Sequence, residues 1–143
     1  MTDSRKACRE RLMNSVLGVA LTITLPLPRK ALHPNARCHY MAKARARRED
    51  RHDAALMATS VLNESRITPP MWKHAIIEVE YRFFRNSPRD PDNLVAWYKS
   101  FLDGFVDAGV LLGDSTVTLL PVRQSTKHRD QCVMFTIREG AIQ

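Results

Sequence analysis

The chain has 143 residues, 44% of them hydrophobic and 26% charged, which suits one folded domain with its own core and argues against intrinsic disorder. Lys and Arg number 22 against 15 Asp and Glu, a formal net charge of +7, so the expected partner is a polyanion, either nucleic acid or an anionic membrane surface. No stretch reaches the roughly 20 uninterrupted apolar residues of a membrane helix, and Cys8, Cys38 and Cys132 are odd in number and lack CxxC or Cys/His finger spacing. That pattern argues against a disulfide framework or a zinc ribbon and for a reducing compartment.

In chain order, residues 1–17 carry Arg5, Lys6, Arg9 and Arg11 without a clear period. They read as an N-terminal extension, a loose tail or a short helix, ahead of a folded domain over 18–143. The run Leu12 to Leu27 follows a basic start, as a secretory signal does. It carries Asn14, Ser15, Thr22 and Thr24, and no small-x-small cleavage site follows, so it reads as structure. Val19, Leu21, Ile23 and Leu25 alternate with Ala20, Thr22 and Thr24, the period of a half-buried strand, which Pro26 and Pro28 stop.

His33-Pro34-Asn35 marks a turn. The next segment is strongly basic, with Arg37, Lys43, Arg45, Arg47, Arg48 and Arg51 opposed only by Glu49 and Asp50. Its alanines and leucines predict a helix over about 41–62. A second strand is expected over 72–84, with Ile77, Val79, Tyr81 and Phe83 on one face. After a turn at Asn86-Ser87-Pro88 comes a helix opened by Asp90 as N-cap and Pro91 as first helical residue. Leu94, Trp97, Tyr98, Phe101, Leu102 and Phe105 form its buried stripe, and Gly109 with Val110 closes it. Residues 116–122 and 131–138 read as two further strands joined as a hairpin by a polar loop. The sum is an α+β single domain with order β-α-β-α-β-β, a mostly antiparallel mixed sheet and helices packed on it.

The chemistry is expected in the second helix. Positions seven and eleven apart nearly eclipse on a continuous helix, which puts Asp92, Lys99 and Asp103 on one polar edge with Asp90 at its entrance. Asp114 begins the next strand, so the chain can return it toward Asp90 and Asp92. Like charges at close range repel unless something offsets them. Mg²⁺, a hard ion that binds through carboxylates, waters and substrate phosphate, is the usual answer. Lys99 would offset charge on a phosphate. The same residues also suit a metal-free role: Asp at a helix start caps it, Lys99 and Asp103 make an ordinary i,i+4 pair, and Asp114 suits a turn.

Taken together, Arg89-Asp90-Pro91-Asp92-Asn93-Leu94, Lys99, Leu102-Asp103-Gly104, Asp107-Ala108-Gly109-Val110 and Asp114-Ser115 resemble the RusA family of Holliday junction resolvases, common in phages and prophages. Leu25-Pro26-Leu27-Pro28, Pro34-Asn35 and the basic stretch from Arg37 to Arg51 are similar too, so the resemblance covers about residues 18–138. It implies a homodimeric, Mg²⁺-dependent endodeoxyribonuclease, with Mn²⁺ as a substitute, that cuts four-way junctions and other branched DNA by paired nicks. It implies a cytoplasmic setting in a bacterial or phage-infected cell and no membrane partner. The family's essential aspartates fall on Asp90, Asp92 and Asp114 as metal ligands and its active-site lysine on Lys99, with Asp103 and Asn93 as accessory positions. Many members carry two adjacent aspartates where this chain has Gly113-Asp114. That departure leaves open a second expectation, a non-catalytic branched-DNA-binding relative of the same fold.

Arg37, Lys43, Arg45, Arg47, Arg48 and Arg89 are the expected DNA-backbone contacts. Phe83 and Phe84 suit either core packing or an apolar wedge near a junction. His33, His39, His52, His74 and His128 are scattered without metal-ligand spacing.

Overall fold

The computed structural model describes residues 20–68, 73–87, 89–113 and 117–140. The expected extension over 1–17, the start of the first strand, Cys8, Trp72, Pro88, Asp114 and Thr116 lie outside the described residues.

Five strands form one sheet: β1 (Leu21–Pro26), β2 (Ala75–Arg82), β3 (Val117–Leu119), β4 (Arg123–Ser125) and β5 (Cys132–Glu139). The helices are α1 (Tyr40–Glu64), α2 (Pro91–Trp97) and α3 (Lys99–Asp107), with a short 3-10 turn at Lys30–Leu32 before α1. β5 lies antiparallel between β1 and β2, while β3 and β4 both pair parallel with β2 on its far edge. Register aligns Leu21 with Ile137 and Ile77, Ile23 with Phe135 and Val79, and Leu25 with Val133 and Tyr81. Alternation places every one of these on the same face, all buried against the helices. Thr22, Thr24, Glu78, Glu80 and Thr136 point to the other, wetter face.

The α+β single-domain reading holds. The expected hairpin between the last two strands does not form, because β2 separates β3 and β4 from β5. Val133, Phe135 and Ile137 are fully buried, and a strand with such a face gains most between two neighbours. The expected strand over 116–122 is shorter and is followed by a second short one after Pro121, which has no N–H to give the ladder.

The expected helix from Pro91 to Gly109 is two helices. Tyr98, at φ −92° and ψ 1°, breaks it, and Phe101 N–H donates to the Tyr98 carbonyl at 2.9 Å, an i→i−3 bond of 3-10 type. The eclipse of positions seven and eleven apart therefore does not apply across the break.

Both ends of this helical pair follow their local chemistry. Asp90 accepts from the Asp92 N–H at 3.0 Å with Pro91 at the first position. At the other end, Gly109 has φ 84°, its N–H donates to Val106 O, and Val110 N–H donates to Phe105 O, each at 3.0 Å. This is a Schellman closure with Val110 packed near Phe105.

α1 buries Ala46, Asp50, Ala54, Ala58 and Leu62. Its alanine stripe meets α3 at Gly104, where an added Cβ would stand 2.3 Å from the Arg51 carbonyl oxygen and 2.7 Å from the Ala54 Cβ. The absence of a side chain there lets the two backbones approach. Among the described residues, no helix is long and apolar enough to cross a membrane.

Candidate active site

The loop from β2 to α2 is held from several sides. Phe83 N–H donates to Ser125 O at 2.9 Å, His128 N–H to Phe83 O at 3.0 Å and Lys127 N–H to Phe84 O at 3.2 Å. The Arg89 guanidinium carbon stands 3.5 Å from the centroid of the buried Phe83 ring. Arg89 Nη1 donates to Ser87 O at 2.9 Å, and the Arg89 carbonyl accepts from Gln124 Nε2 at 2.9 Å. Burial lowers the Arg89 pKa from its ordinary value. Arg89, expected on DNA, thus also shapes the loop that presents Asp90. Phe83 belongs to the core, whereas Phe84 is exposed.

Asp90 and Asp92 are both exposed on the first turn of α2. One Asp90 oxygen caps the Asp92 N–H, which leaves its second oxygen and the Asp92 carboxylate open to solvent. The buried Tyr81 hydroxyl donates to the Leu94 carbonyl at 2.7 Å and anchors α2 to the sheet. Burial raises the Tyr81 pKa and pushes the Tyr98 phenol up to about 12, so both remain neutral hydroxyls at physiological pH.

Among the described residues, two cavities border this helical pair. One, of about 510 Å³, is bordered by Asp92 and Lys99 with Val95, Leu102, Leu111 and Val117 as apolar wall. The other, of about 370 Å³, is bordered by His33, Lys43, Arg47, Lys99 and Asp103. Lys99 therefore faces both, sharing the first with Asp92 and the second with Asp103. Asn93 is half-buried in the first turn of α2 and borders neither. Asp114 lies outside the described residues. Two exposed oxygen-donor carboxylates suit a hard ion that keeps waters and takes substrate phosphate. Among the described residues, no three His, Cys, Asp or Glu side chains gather closely enough to hold a metal by themselves.

Arg37, Arg45, Arg47 and Arg48 are exposed and Lys43 is half-buried. No carboxylate among the described residues pairs with any of them or with Lys99. Arg51 differs, because its guanidinium grips Asp107 through two bonds of 2.5 and 2.7 Å. That contact lowers the Asp107 pKa and raises that of Arg51.

Sequence reasoning missed Arg29 and misjudged Asp50. Asp50 is only 2% exposed and accepts from the Arg29 backbone N–H at 3.1 Å and from its guanidinium at 2.5 Å. Arg29 also pairs with Glu49 at 2.8 Å and Asp53 at 2.9 Å. Burial raises the Asp50 pKa, against the lowering pull of Arg29. The spacing of Asp50 to Ala46 and Ala54 on one helical face was the available signal.

A further trio was not expected: Ser125 Oγ–H donates to Glu80 Oε1 at 3.1 Å and stands 2.8 Å from His128 Nε2. The carboxylate touches the serine and not the far ring nitrogen, so nothing orients the imidazole as a base. The trio closes the loop around Lys127, whose φ is 68°.

No family model matches this chain. It is similar to an uncharacterized protein of Xylella fastidiosa (strain Temecula1 / ATCC 700964), 27% identical over 113 residues, covering 79% of this chain and 73% of that protein.

Proposed function

We propose that this chain is a Mg²⁺-dependent endodeoxyribonuclease acting on branched DNA, of the RusA junction-resolving kind, working as a homodimer. The observation that supports it best is that Asp92, on the first turn of α2 beside Asp90, and Lys99 border one cavity in a chain of net charge +7. Asp90 and Asp92, with Asp114, would hold Mg²⁺ or Mn²⁺. When bound, the ion supplies positive charge to a phosphodiester and lowers the pKa of water near it. The Lys99 ammonium offsets charge that builds on the phosphate oxygens. Asp103 borders the second cavity with Lys99 and makes no ion pair with it. The unpaired cations of α1 hold the DNA backbone.

A second reading, a branched-DNA-binding relative that does not cut, draws on Gly113 standing where many family members carry an aspartate. One experiment separates the two. Asp90→Asn, Asp92→Asn and Asp114→Asn are each assayed for nicking and for binding of a synthetic four-way junction. The nuclease reading expects wild-type nicking in Mg²⁺, loss of nicking in each variant and retained binding. Wild-type binding with no nicking in either Mg²⁺ or Mn²⁺ supports the second reading.

A further inference from the structure

We propose that the cavity between the 3-10 turn, the start of α1 and the α2–α3 junction is a subsite for one phosphate of the DNA backbone, separate from the acidic turn of α2. The inference rests on the nuclease reading and narrows it to a particular set of side chains.

Three cations border this cavity: Lys43 and Arg47 from α1, and Lys99 from the start of α3. Among the described residues, Asp103 is the only carboxylate on its lining, and it forms no ion pair with any of the three. Three like charges around one concavity repel, and an anion there relieves the repulsion.

The neighbouring cations behave differently. Arg29 is taken up by Glu49, Asp50 and Asp53, and Arg51 by Asp107. Lys43 and Arg47, an i,i+4 pair, flank Ala46 and lead toward Asp50. They thus lie beside the face that α1 turns to the rest of the molecule. Arg45 and Arg48 are exposed and border neither cavity described above.

The donor set also fits phosphate. Lysine supplies compact charge and arginine a planar fork of N–H groups. His33 Nδ1 accepts from the Asn35 N–H at 3.1 Å, which leaves the ring proton on Nε2 as a further donor. The ring is fixed edge-on against Trp97 with centroids 5.1 Å apart. Ser100 adds a hydroxyl to the lining. Because Lys99 borders both cavities, a phosphate held here is close along the strand to the one beside Asp92.

The test measures junction affinity by fluorescence anisotropy in Ca²⁺, across about 50–200 mM salt. Wild type is compared with Lys43→Met/Arg47→Met and with Arg45→Met/Arg48→Met, the fold of each being checked by its thermal midpoint. The subsite predicts that the first variant loses about tenfold or more in affinity, with a shallower salt dependence by about two counterions. It predicts a smaller loss for the second. Single Lys43→Gln and Arg47→Gln variants give the same ordering if the double variant does not fold. Equal losses in the two double variants would assign binding to diffuse charge and overturn the subsite, leaving the nuclease reading intact. Failure of wild type to bind the junction overturns both. Tight binding of a deoxynucleoside monophosphate without junction binding would assign the cavity to a free nucleotide and overturn the DNA assignment.

Discussion

The indole N–H of Trp97 donates to the main-chain carbonyl of Arg29 at 2.9 Å. The same Arg29 gives its backbone N–H and its guanidinium to buried Asp50. One residue therefore joins the segment after β1 to the middle of α1 and to the end of α2, two positions before Lys99. The cavity shared by Lys43, Arg47 and Lys99 lies against this junction. The clamp sets the spacing of elements that carry cations without using those cations.

Asp50→Ala removes the buried carboxylate of the clamp and leaves the Arg29 N–H without its acceptor, while the guanidinium keeps Glu49 and Asp53. Loss of a buried hydrogen-bonding partner costs about 1–3 kcal/mol, and solvent access to Arg29 with its two remaining carboxylates keeps the loss toward the lower end. Urea unfolding should show that loss as a lower midpoint. A change below about 0.5 kcal/mol would mean that the clamp does not hold the fold.

Gly104→Ala puts a Cβ against the backbone of α1 at Arg51 and Ala54–Ala55. Backbone cannot yield as a side-chain tip can, so α1 and α3 must separate. Overpacking of this kind costs about 1–3 kcal/mol. The thermal midpoint should fall by several degrees, although alanine has the better helix propensity.

The Arg51–Asp107 pair gives a pH signature. Asp107 has a lowered pKa in the fold because its carboxylate accepts from Arg51. Its contribution is fully present above the ordinary carboxylate range and is lost as pH falls through the folded value. Asp107→Asn should flatten the acid-side decline in stability. Both side chains are largely exposed, so the difference at neutral pH should be small and should shrink with salt. Parallel acid titrations by circular dichroism, at low and high salt, check this.

Gly113→Asp tests the departure from the resembled family. Beyond its chain neighbours, a Cβ at Gly113 meets none of the described residues within 4 Å. If a second carboxylate at this position strengthens Mg²⁺ binding, half-maximal nicking should occur at several-fold lower Mg²⁺. An unchanged Mg²⁺ dependence would mean that the position takes no part in holding the ion.

Much of the architecture was legible because its signals are local. Strict alternation marks β1 and β2, and Asp90-Pro91 and Gly109-Val110 mark where the helical pair starts and stops. Pairing between distant segments was not legible. The pattern of residues 131–138 is that of a strand, but nothing local says that it inserts between β1 and β2. The break at Tyr98 was hidden because an aromatic stripe at helical spacing runs through it unchanged. Asp50 looked like one of two acids relieving a basic helix, when its place beside Ala46 and Ala54 buries it. For the candidate site, Asp92 and Lys99 share no helical edge across the break and instead border one cavity. The cavity joining Lys99 to Lys43 and Arg47 depends on the packing of α1 against α3, which no spacing within one segment displays.

The central claim is metal-dependent cutting of branched DNA by the α2 carboxylates. Its most direct test incubates purified protein with a labelled four-way junction and a linear duplex of matched sequence, with and without Mg²⁺, and maps the nicks. The account predicts paired nicks in the junction only when Mg²⁺ is present. It also predicts little cutting of the duplex, none by Asp92→Asn, and a drop of about 100-fold or more for Lys99→Ala. Wild-type nicking rates in Asp92→Asn, or nicking that ignores Mg²⁺, would contradict it.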